Sequence, residues 1–61
     1  MYKFEIYTSR EYPLILKIEC ESDRYAHEIA ESMMQLFPQI AVVRIMKCVS
    51  VETSVLNIIR R

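Results

Sequence analysis

The chain has 61 residues, eight basic and eight acidic side chains, one histidine, two cysteines and no glycine. That length holds one domain at most, 1–61. The missing glycine excludes the phosphate-cradling loops of P-loop and dinucleotide-binding proteins, which need backbone positions free of a Cβ. For so short a chain, apolar burial and the entropy of ordering nearly cancel, so a further source of stability is expected: a disulfide, a metal or a partner chain.

Residues 2–8 alternate. Tyr2, Phe4 and Ile6 fall on one face and Lys3, Glu5 and Tyr7 on the other, the period of a half-buried strand. Thr8 to Glu11 make a polar break. Tyr12 and Pro13 open a second alternating run, with Leu14, Leu16, Ile18 and Cys20 opposed to Ile15, Lys17 and Glu19. Two such runs across a short loop read as a hairpin. Pro13 lacks an N–H for a ladder and suits the start of an edge strand.

A helix follows. Ser22 is a good N-cap, and Asp23 places negative charge where the helix dipole favours it. Tyr25, Ile29, Met33 and Leu36 recur at helical spacing and form the expected core stripe, widened by Ala26, Ala30 and Phe37. Met33 is expected inside and Met34 at the margin. Arg24, Glu28, Glu31 and Gln35 face outward. Pro38 stops the helix and pushes Phe37 toward extended geometry.

Residues 40–51 are rich in β-branched side chains and apolar on both faces, with Arg44 on one and Lys47 on the other. A strand with one wet face does not read this way. Residues 52–61 fit either a short helix anchored by Val51 or a fourth strand, and the strand is preferred. Chain direction places the strands in the order second, first, third. The third strand then lies at an edge unless residues 53–60 cover it. The fold class is α+β: an antiparallel three- or four-stranded sheet (β-β-α-β, with a possible C-terminal strand) and one helix packed on one face.

Neither cysteine sits in a CxxC pair, and four ligands for a zinc site are not available. Cys20 and Cys48 read as small reduced side chains in or near the core. Self-association is the remaining source of stability. Val42, Arg44 and Met46, on the third strand, are the candidate dimer interface, because pairing there covers an apolar edge.

No catalytic group emerges. His27 reads as a helix histidine paired with Glu31, and Glu28 and Glu31 as a solvated face; no serine sits in a nucleophile elbow. No cofactor is expected. No apolar run approaches the length of a membrane span, and nothing resembles a targeting signal, so the cytoplasm is the expected location.

Charge is unevenly spread. Residues 1–37 hold four basic and seven acidic side chains, or −3, and residues 38–61 hold four basic and one acidic, or +3. The expected function is a small non-enzymatic homodimer that binds and modulates another protein through Arg24, Glu28, Glu31 and Gln35. The alternative is nucleic-acid binding by the basic C-terminal half, with Tyr7, Arg10 and Tyr12 interleaving aromatic and basic groups. In size and element order alone, the chain resembles small phage-encoded proteins that bind and block host enzymes, inhibitors of uracil-DNA glycosylase among them. That resemblance implies an inhibitory protein partner and carries no residue across. Those inhibitors present a strongly acidic surface that imitates DNA, from which a net charge of zero departs.

Overall fold

The computed structural model describes all 61 residues. It is α+β, with one open antiparallel sheet of four strands and one helix. The elements are β1 (Tyr2–Tyr7), β2 (Leu14–Ile18), α1 (Asp23–Leu36), β3 (Val42–Val49) and β4 (Glu52–Arg60), and the strand order is β2-β1-β3-β4. Residues 52–60 are therefore strand. They cover β3, which lies inside the sheet, and the second edge passes to β4.

The register follows the alternation. Phe4 pairs with Leu16 on one side and Ile45 on the other, and Ile6 with Leu14 and Val43. These residues share the face that α1 covers, and Phe4, Val43 and Ile45 are fully buried there. Between β3 and β4 the register slips by one residue at Leu56, a β-bulge. An extra residue at a bulge bends the strand and re-aims its side chains. Here it turns Leu56 and Ile59 toward the core and leaves Val55, Ile58 and Arg60 on the opposite face.

Ser22 caps α1 as expected, its Oγ accepting the Tyr25 N–H at 3.1 Å. Phe37 turns extended, with φ −122° and ψ 94°. The buried stripe differs from the expected one. Ala26, Ala30 and Met34 are buried, Ile29 and Met33 are partly covered, and Tyr25, Leu36 and Phe37 are exposed. The contact line is rotated because the two alanines let the helix approach the sheet closely. Met34 is carried inward, and the larger side chains Tyr25 and Leu36 swing toward the β2 side.

Helix α1 has no basic residue in its last turn. Arg61 supplies one from the far end of the sheet. Its Nη2 donates to the carbonyls of Met34 and Phe37, and its Nε donates to that of Ile40 at 3.0 Å. Carbonyls at a helix C-terminus lack intrahelical partners and carry the negative end of the dipole, so a planar guanidinium satisfies several at once. Cys20 and Cys48 are free thiols.

Two residues join β3 to β4. Ser50, the first of them, has φ +56°. Two-residue hairpin loops need a positive φ at this place, which glycine adopts without strain and a residue with a Cβ does not. Ser50→Gly is expected to raise stability by about 0.5 kcal/mol, the relief of left-handed strain less the added chain entropy. An increased urea midpoint at unchanged slope would show it. Arg61→Ala is expected to lower stability by about 1–2 kcal/mol, and Arg61→Lys to recover only part of the loss because an ammonium lacks the fork.

Candidate functional site

The face of the sheet away from α1 is open. The register places Lys3, Glu5 and Tyr7 of β1 there, with Ile15 and Lys17 of β2, Val42, Arg44, Met46 and Cys48 of β3, and Val55, Ile58 and Arg60 of β4. Four basic side chains against one acidic give this face +3. The charge asymmetry between the two halves of the sequence is thus recast as one between layers. Lys3 and Lys17 come from the acidic half yet join Arg44 and Arg60.

Glu5 sits at the centre. Its Oε1 lies 3.3 Å from Arg44 Nη1 and accepts the Tyr7 hydroxyl at 3.2 Å. The one carboxylate is thereby committed, while Arg44 Nε is buried without a hydrogen-bond partner. Beside it, Tyr7, Val42, Arg44, Ile58 and Arg60 line a shallow concavity of about 320 Å³. Met46 is 8% exposed and fills the middle of the face. Tyr7, Arg44 and Met46, of residue types enriched in protein interfaces, thus lie together on this face.

Val42, Arg44 and Met46 do share one face, as the alternation predicts, but it is the face of an interior strand. Arg24, Glu28, Glu31 and Gln35 are all exposed on the outer side of α1, and Arg24 Nε lies 3.5 Å from Glu28 in an i,i+4 pair. The two sets are on opposite sides of the molecule. The alternation already put Lys3 and Lys17 on the open face, though neither was singled out as a site residue. Ile58 and Arg60 depended on the bulge, which no residue type announces.

His27 does not pair with Glu31. Its Nδ1 is 2.9 Å from the Asp23 carbonyl, which can only accept, so Nδ1 carries the proton. Nε2 then accepts from Asn57 Nδ2 at 3.1 Å. Both ring nitrogens are spent joining α1 to β4. No group of three or more histidine, cysteine, aspartate or glutamate side chains is placed to hold a metal ion, and no helix is long and apolar enough to cross a membrane.

The N-terminal end of α1 is held by a second polar cluster. The Tyr2 hydroxyl donates to Asp23 Oδ1, and Lys47 Nζ lies 3.0 Å from the same oxygen and 6.0 Å from the Tyr2 ring centre. The Tyr2 bond, and then that of Lys47, hold the Asp23 carboxyl below its usual range. The bond to Asp23, reinforced by burial and by the carboxylate's charge, pushes the Tyr2 phenol up to about 12. No family model matches the chain, and neither a curated protein nor a solved structure matches it.

These shifts set both ends of the pH profile. A carboxyl depressed in the folded state stabilises above its unfolded pKa, near 4, and that contribution is lost as pH falls through the lowered value. Asp23→Asn is expected to flatten the acid limb of a stability–pH curve. A phenol raised in the folded state stabilises fully below its ordinary value of 10.0 and loses that contribution as pH rises through about 12. Phenolate absorbance should show a late-titrating tyrosine that is absent from Tyr2→Phe.

Proposed function

We propose that this chain is a small non-enzymatic binding module whose open sheet face docks an acidic surface on another protein. The observation that carries this reading is the composition of that face: +3 overall, its only carboxylate already paired with Arg44, with apolar Val42, Met46 and Ile58 alongside. Binding rather than catalysis is supported by His27, the natural general base at neutral pH, having both ring nitrogens occupied by structural bonds. Blocking of the bound protein, which the resemblance to small phage-encoded inhibitors implies, is part of the proposal. The polarity is opposite, since this surface would seek acid rather than imitate it.

A protein partner is favoured over nucleic acid by the aromatic content of the face. Single-stranded nucleic acid is held by stacking on several exposed rings, and here Tyr7 is the one ring, half-buried and bonded to Glu5. Arg10 and Tyr12 lie in the loop between β1 and β2.

The test compares wild type with Lys17→Glu/Arg60→Glu, two exposed positions that leave the Glu5–Arg44 pair intact. Both forms are immobilised, extract from the native source is passed over them, and the retained molecules are identified by mass spectrometry. An acidic protein kept by wild type and lost by the variant is the expected result. Retention of the same proteins by both forms would sink the reading. Recovery of nucleic acid instead, with affinity for a single-stranded oligonucleotide falling steeply with salt, would replace it with the alternative.

A further inference from the structure

Only ten of the 61 residues are buried, and apolar side chains of β2 are among those left uncovered. Leu14, Ile15 and Leu16 are 56%, 50% and 43% exposed, three consecutive apolar residues on a strand with one edge unpaired. On the helix side Leu14 borders an apolar groove of about 220 Å³, walled by Met33 and Phe37. An edge of this kind is a template for another strand.

The other edge is blunted. The bulge at Leu56 breaks the run of β4, and the Ile58 N–H beyond it donates to Asn57 Oδ1 at 2.9 Å, a donor removed from the edge. The open face cannot meet a second copy of itself without setting +3 against +3. The β2 edge carries a single charge, Lys17, and its pattern complements itself. A two-fold axis through Leu16 sets Leu16 against Leu16 and Leu14 against Ile18 on the helix side. On the open side it sets Ile15 against Lys17, so no charge opposes a like charge. Centring on Lys17 instead would oppose the two ammonium groups.

We propose that two copies of this chain associate by antiparallel pairing of β2 with β2, centred on Leu16, into one continuous eight-stranded sheet. A five-residue strand pair with a shallow apolar groove beside it falls below the roughly 800 Å² per partner of a standard stable interface. The dimer is therefore a dynamic one, with a dissociation constant on the order of 10 µM. It forms from the purified chain alone, so it stands or falls independently of any partner on the sheet face.

Sedimentation equilibrium tests it. Wild type should pass from monomer to dimer as concentration rises through that range. Leu16→Lys, at an exposed edge position, should remain monomeric with an unchanged circular dichroism spectrum. The register is tested in a Cys20→Ser/Cys48→Ser background. Leu16→Cys should form a disulfide-linked dimer on mild oxidation, since facing residues bring their Cα atoms within disulfide range. Ile15→Cys should not, because its own mate lies two residues along the partner strand. Wild type that is monomeric at many times 10 µM overturns the proposal. A dimer that survives Leu16→Lys but is lost in Val42→Asp overturns it in favour of the open face. A dimer in which Leu16→Cys fails to cross-link overturns the register.

Discussion

The close approach of α1 to the sheet through Ala26 and Ala30 governs the rest of the molecule. Both are fully buried in one cluster with Phe4, Val43 and Ile45. Small side chains at two successive turns let a helix settle low on a twisted sheet, and the tight contact then decides which residues flank it. Rotation about that line carries Met34 inward and sends Tyr25, Ile29, Met33 and Leu36 toward β2. A single fourteen-residue helix cannot cover four strands, each roughly 4.8 Å from the next. The strands directly beneath α1 are sealed, β4 is covered only at Leu56 and Ile59, and β2 is left uncovered. Exposure at β2 is therefore the geometric remainder of the alanine contact.

A helix held on two alanines and a methionine gains little from burial compared with one resting on leucines. Polar ties make up the difference at three places along its length. Tyr2 and Lys47 hold Asp23 at the first turn, Asn57 holds His27 one turn later, and Arg61 gathers carbonyls in and just beyond the last turn. Each tie reaches a different strand or strand end, so the helix is fixed in rotation as well as in position. Arg61 and Asn57 both belong to the β4 segment. The strand that closes the sheet also locks the helix, and this couples the last element of the chain to the first contacts of the core.

The strands, the helix and its Ser22 cap were legible because alternation, helical period and capping chemistry are local. The strand order was legible too, since chain direction and Pro13 leave few choices. The inward face of α1 was not. Apolar residues cover more than half of the helix circumference, and weight given to size selects Tyr25 and Leu36, whereas the sheet selects the smallest pair. His27 was read against its neighbour Glu31 when its partners are a carbonyl one turn back and an amide thirty residues away. The basic face was half legible. Lys3, Lys17 and Arg44 follow from period two, but Ile58 and Arg60 required the β3–β4 register, and a bulge reverses facing without leaving a mark in residue type.

The two surfaces left after folding differ in kind, and that difference bears on how they work together. The β2 edge is apolar and self-complementary; the sheet face is basic and repels its own copy. In the proposed dimer the two-fold axis runs perpendicular to the sheet, so both helices lie on one side and both basic faces on the other. The faces become one continuous surface of eight strands, roughly 38 Å across at the usual strand spacing, carrying twice +3. Lys17, at the rim of one copy, comes to lie beside Ile15 of the other and near the middle of the combined surface. A target with two acidic patches at that spacing would engage both copies at once. The second contact would form at the effective concentration of a tethered ligand, so binding would tighten without any new residue contact. A weak dimer then suffices, because a bivalent target and the β2 pairing each favour the other.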